Sequence, residues 1–183
     1  MSPTFPGHSA PSGGFEVPLE MLSACHHRVE RQCTTLRRLV PHLAVHGVDG
    51  DARSAASAVL RYFETAGPDH HADEEADVFP ALIESMAGSD AVCIRELVAA
   101  LPADHRQLEA HWRRLRPLLQ AIANGQPQPL RDSDVDPLLS LYAHHIARED
   151  AELLPLAARL LDGPALATVG RAMRERRGVA PVV

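Results

Sequence analysis

In four separate stretches of this chain a histidine is followed four positions later by a glutamate: His26/Glu30, His70/Glu74, His105/Glu109 and His145/Glu149. At about 3.6 residues per turn, positions four apart lie on one helix face, so both side chains of a pair can reach one point beside the helix. The apolar pattern says which face that is. From His26 the residues three, seven, ten and fourteen positions on are Val29, Cys33, Leu36 and Val40; from His105 they are Leu108, Trp112, Leu115 and Leu119. Both histidines therefore sit on an apolar, inward stripe. An unpaired buried carboxylate costs several kcal/mol. A core that gathers such groups calls for cations.

The two halves of the chain also repeat. Aligning His26 with His105 pairs Val29 with Leu108, Glu30 with Glu109, Leu36 with Leu115 and Arg37 with Arg116. Aligning His70 with His145 pairs Glu74 with Glu149, Glu75 with Asp150, Val78 with Leu153, Phe79 with Leu154 and Pro80 with Pro155. Each half thus reads as a helical hairpin, and two hairpins packed together would bring four helices to one axis. A lone His-x-x-x-Glu is ordinarily a solvated surface pair. Four of them, in register with an apolar stripe and an internal repeat, point to a metal site built from His26, Glu30, His70, Glu74, His105, Glu109, His145 and Glu149. Nitrogen and carboxylate oxygen without thiolate suit iron, manganese or zinc and argue against calcium. Two choices stay open at this point. His71 has its own apolar partners in Val78 and Leu82, although the repeat favours His70; Asp150 stands beside Glu149. His27, His71 and His144 are expected on the solvent side or behind the ligands, and His8, His42, His46 and His111 are expected to be exposed.

The rest of the chain fits an all-α protein. Hydrophobic residues make up 45% and aromatic ones only 4%, and no Val/Ile/Thr-rich alternation marks a strand. Residues 1–17 read as a flexible Pro/Gly/Ser-rich tail, 18–162 as an antiparallel up-down four-helix bundle, and 163–183 as a short C-terminal helix and tail. The first helix is expected over about Pro18 to Val40, ending near Pro41, and the second over about Asp51 to Ala66. Gly67-Pro68 should break or kink the chain before helix resumes to about Met86; Gly88 would end it and Ser89 cap the next. That helix spans about Asp90 to Ala123 with a kink at Pro102, and the last long one starts at a cap of Asp134 or Asp136 and runs to about Leu161. A net charge of -6 gives no reason to expect nucleic acid as a partner. No run is apolar enough for a membrane, and the first residues lack the features of a secretory signal. Cys25, Cys33 and Cys93 form no Cys-x-x-Cys pair and are expected as reduced thiols, which suits the cytoplasm.

On these residues the chain resembles the hemerythrin-like, or HHE cation-binding, family. The segments His70-His71-Ala72-Asp73-Glu74-Glu75-Ala76-Asp77-Val78-Phe79-Pro80 and His145-Ile146-Ala147-Arg148-Glu149-Asp150-Ala151-Glu152-Leu153-Leu154-Pro155 carry the likeness, with His26 and His105 as the single histidines of the first and third helices. It covers about Leu19 to Leu160. The resemblance implies two iron ions (Fe2+/Fe3+), oxo- or hydroxo-bridged, held by His26, His70, Glu74, His105, His145 and Glu149, with the two glutamates bridging. Glu109 stands where oxygen-carrying members have a further histidine, and Asp150 where they have an aspartate; Glu149 has the better helical angle. Glu30 and Glu109 would be extra ligands or supporting groups. The implied function is binding or sensing of a small diatomic or peroxide ligand (oxygen, nitric oxide, peroxide) or of iron. The alternative is a di-iron enzyme: a peroxidase, a nitric oxide reductase or an iron-centre repair factor.

Overall fold

The computed structural model describes residues 14–85 and 91–180, and among them every element is helical. Helix α1 (Pro18–His46) starts with Pro18 in its first turn, where no N–H is needed. It continues past Pro41 instead of stopping at Val40, and ends at Gly47, whose φ of 68° lets its N–H turn back to Leu43 O at 3.0 Å. Asp49 caps α2 (Gly50–Glu64) by accepting the Ala52 N–H at 2.8 Å. The interruption falls at Thr65, ahead of Gly67-Pro68; Pro68 lies in the first turn of α3 (Ala66–Asp73), where it costs no hydrogen bond.

A π-helical turn over Glu74–Val78 leads from α3 into α4 (Phe79–Glu84). Helix α5 (Ala91–Ala123) is unbroken across Pro102 and Pro117. Helix α6 (Asp132–Arg148) begins earlier than the expected caps: Asp134 sits inside it, and its carboxylate accepts the Arg131 N–H at 2.9 Å. A second π-helical turn, Glu149–Leu153, joins α6 to α7 (Leu154–Leu160), and α8 (Gly163–Arg176) follows. The two π turns have one cause. Pro80 and Pro155 cannot donate to the carbonyls four residues back, Ala76 and Ala151, and their rings crowd those carbonyls. Widening the preceding turn, with Phe79 N–H on Glu74 O and Leu154 N–H on Glu149 O, relieves the crowding. The expected stop at Gly88 and cap at Ser89 lie outside the described residues, as do residues 1–13 of the expected tail and the Cys93 side chain.

Helix α1 packs on α2, α2 on α5, α5 on α6 and α6 on α1, so the four close into a ring. The apolar interior is in two parts. One contains Val29, Leu36, Val59, Phe63, Leu108, Leu115 and Tyr142; the other contains Leu22, Val78, Leu82, Leu101, Leu153 and Met173. His26 lies between Leu22 and Val29 along α1, and His105 between Leu101 and Leu108 along α5, so the conspicuous polar residues form a layer between two dry cores. No helix among the described residues is long and apolar enough to cross a membrane.

Helix α8 is bolted across the start of the first π turn. The Arg177 guanidinium donates to both oxygens of the fully buried Asp73, at 3.0 and 2.6 Å, and Arg176 adds a bond to Asp73 and another to Asp77 at 2.8 Å. Residues 14–17 dock on the outside of α8: Glu16 pairs with Arg174, and the Phe15 carbonyl approaches Gly170 so closely that a Cβ there would stand 1.9 Å from it. Removing the shared acceptor takes both carboxylate bonds from Arg177 and leaves Arg176 with Asp77 alone. Asp73→Ala is expected to lower the unfolding free energy by about 3 kcal/mol in urea melts, well beyond Asp77→Ala.

Candidate metal centre

Six of the eight residues singled out by spacing converge. His26, His70, Glu74, His105, His145 and Glu149 are all at most 4% exposed. They fall into two groups whose potential donor atoms lie within 4.8 Å of one another: His26, His70, Glu74 and Glu149, and Glu74, His105, His145 and Glu149. Glu74 and Glu149 belong to both. Each position therefore takes its two imidazoles from one half of the chain and a carboxylate from each half.

The distances describe a tight polar layer. Glu149 Oε2 is 3.1 Å from His26 Nε2 and Glu149 Oε1 is 3.0 Å from His145 Nε2; Glu74 Oε2 is 3.3 Å from His105 Nε2 and Glu74 Oε1 is 3.6 Å from His70 Nε2. None of the four carboxylate oxygens has a hydrogen-bond partner of good geometry, although all are buried. Two imidazole nitrogens, His105 Nε2 and His145 Nε2, face each other at 3.1 Å, which a pair of neutral rings tolerates only if one donates and the other accepts. Orphaned carboxylate oxygens and facing nitrogen lone pairs are what a pair of cations satisfies, so the donor set fits a two-metal centre.

Two further carboxylates hold the His26 and His105 rings from behind. Asp150 Oδ1 is 2.7 Å from His26 Nδ1, and Glu75 Oε1 is 2.6 Å from His105 Nδ1. With Nδ1–H donating outward, each ring turns its Nε2 lone pair to the centre. Between Glu149 and Asp150, Glu149 faces the interior and Asp150 supports. These supports lie five residues after His70 and His145, matched by the repeat; from spacing alone Asp150 is an open alternative to Glu149, and Glu75 has no assigned role. His70 takes the central place with His26; His71 is not on the solvent side either, but stacks on His105 with centroids 4.0 Å apart and joins His105 and His145 in a third group.

Glu30 and Glu109 stand outside all three groups. Both are exposed, and Glu109 pairs with Arg113 at 3.3 Å. His42, expected to be free in solvent, is partly covered and 2.9 Å from the Asp49 that caps α2.

Metal-free, the centre must hold protons where cations would sit. Burial lowers the imidazole pKa of His26 and His105, but the surrounding carboxylates together outweigh it, Glu149 and Glu74 at the centre and Asp150 or Glu75 behind each ring; the results are about 9 and about 10. Burial, reinforced by the Glu149 charge, pushes Glu74 up to about 8. His70, desolvated and beside His26, falls to about 3. The folded chain thus binds protons at His26 and His105 that the unfolded chain releases near pH 6.5; the stability so gained is complete below that pH and is lost as pH rises through about 9 to 10. Metal binding displaces those protons and strengthens with pH. The melting temperature of chelated protein should therefore fall between pH 7 and 9.5, while that of metal-loaded protein should not; parallel curves would sink this account. Asp150→Ala and Glu75→Ala should each weaken metal binding by about 10- to 100-fold in competition titrations.

The comparisons with known proteins agree with this geometry. The chain is 33% identical over 162 residues to a Haemophilus influenzae protein described as uncharacterized, across 88% of this chain and 91% of that one. The family model for the hemerythrin HHE cation-binding domain matches residues 17–157, which takes in all six converging residues, both π turns and both orienting carboxylates. The chain belongs to the hemerythrin HHE cation-binding domain family.

Proposed function

We propose that this is a cytoplasmic non-haem di-iron protein that binds or senses oxygen, nitric oxide, peroxide or iron. The reading is carried by one observation: two four-residue groups share two buried carboxylates, none of whose four oxygens has a hydrogen-bond partner of good geometry. His26 and His70 would hold one ion, His105 and His145 the other, with Glu74 and Glu149 bridging. Glu30 and Glu109 are not ligands in this reading. The closed ring of α1, α2, α5 and α6 supports the antiparallel up-down bundle that such a centre requires. When bound, an iron pair supplies one-electron redox steps and exchangeable coordination positions. The chain's own part is to fix the imidazoles through Asp150 and Glu75, and to keep water from most of the centre by the two apolar cores.

A second reading, a di-iron enzyme such as a peroxidase, a nitric oxide reductase or an iron-centre repair factor, is favoured by a cleft of about 340 Å³ that reaches His105. Binding and catalysis separate on one measurement. Metal analysis should find two irons per chain, and optical spectra should change on reduction and on addition of oxygen, nitric oxide or peroxide. Stoichiometric change identifies a binder or sensor; sustained consumption identifies the enzyme. Zinc with no spectral response would overturn both. His26→Ala, His70→Ala, His105→Ala and His145→Ala should each lower the metal content, whereas His42→Ala, Glu30→Ala and Glu109→Ala should keep it. Equal retention in all seven would refute the ligand assignment.

A further inference from the structure

The internal repeat supplies its own comparison. On the α5 side of the centre a cleft of about 340 Å³ is lined by His71, His105, Glu109 and Trp112, with Tyr142 and Phe63 in its wall. On the α1 side the repeat-related residues Ile146, Glu30 and Cys33 also line a groove, again with Tyr142. That groove contains no histidine: Ile146 occupies the place of His71, Cys33 that of Trp112, and His26 is not part of its lining. The two metal positions are thus equivalent in donors but not in access.

We propose that an exogenous ligand meets the centre through the cleft beneath Trp112, at the His105–His145 position and not at the His26–His70 position, and that the cleft takes an organic hydroperoxide. This rests on the metal-centre reading above. The cleft is far larger than a diatomic molecule needs and falls in the range of sites for small organic ligands, about 300–1,000 Å³. Its wall of Phe63, Leu108, Trp112 and Tyr142 suits an apolar body, while the His71 and His105 imidazoles sit at the polar end. Glu75 is bonded to His105 and Glu109 to Arg113, and the one lining arginine, Arg106, is exposed, so the lining holds no buried Arg or Lys to pair with an organic acid. A neutral hydroperoxide needs no such partner. Hydrogen peroxide would leave the aromatic wall unfilled.

Trp112 is the protein's single tryptophan, and so a built-in reporter. Zinc-loaded protein holds the centre without redox turnover. Titration with cumene hydroperoxide should give a saturable change in Trp112 fluorescence, and hydrogen peroxide should give none at the same concentrations. Glu109→Phe, an exposed change that plugs the mouth, should weaken the response at least tenfold; Arg106→Phe, at the same mouth, serves as the second plug if the first fails to fold. Glu30→Phe, its counterpart over the other groove, should leave the affinity unchanged. An equal response in the plugged variants, loss in Glu30→Phe, or tighter binding of benzoate than of the hydroperoxide would overturn the proposal. Zinc content, measured in the same samples, separates the two failures: two zinc ions with no fluorescence response sink the cleft assignment alone, whereas no zinc uptake sinks the metal centre beneath it.

Discussion

Glu74 and Glu149 are two fully buried carboxylates packed among four imidazoles between two apolar cores, and the rest of the structure is arranged around that constraint. Desolvating two like charges at this proximity is strongly unfavourable unless protons or cations compensate. The metal-free chain answers by raising Glu74, His26 and His105 so that protons are retained. Cations do the same more completely, because they also satisfy the oxygens that no hydrogen bond reaches. The layer also interlocks the halves. Asp150, from the second half, orients His26 of the first; Glu75, from the first, orients His105 of the second. Neither hairpin holds a complete, correctly aimed site alone, so folding of the bundle and binding of the metals are coupled.

The repeat, the helical class and six converging residues were legible in the sequence because they depend on local periodicity. Glu30 and Glu109 were not correctly legible, and the reason lies in the stripe. In α1 and α5 the inward row after the histidine runs three, seven and ten residues on, which leaves the fourth position on the exposed flank. After His70 and His145 the buried row runs four and eight residues on, through Glu74 and Val78 and through Glu149 and Leu153. The same spacing therefore carries a buried central carboxylate in one pair of helices and a surface charge in the other. Only the path of the apolar row distinguishes them.

The prolines illustrate a different limit. Pro80 and Pro155 were visible as repeat markers, yet their effect depends on what the backbone does to accommodate them. Each widens the turn that begins at a central glutamate. The two carboxylates of the centre thus stand where the helix is least regular, a placement common for π turns at functional sites. The bond from Arg176 and Arg177 to Asp73 was beyond local reasoning altogether. It joins residues about a hundred positions apart and anchors the residue next to Glu74. The arginines of the last helix read naturally as complements to its dipole; their partners make them a brace for the first π turn.

A duplicated site relaxes the demand that both halves do the same work. The shared carboxylates and the four histidines must be retained for the centre to form, but residues one layer outward can diverge without disturbing it. They do differ there: His71 against Ile146, Trp112 against Cys33, Asp104 against Cys25. On one side the substitutions are apolar or small, Cys25 and Cys33 are free thiols, and burial pushes the Cys33 thiol up to about 12, where it is inert as a nucleophile. On the other side Asp104 approaches His145 Nδ1 at 3.8 Å and His71 stacks on His105. One half is thus packed to hold and the other is shaped to be reached, and the symmetry that makes the centre chemically possible is broken at its rim.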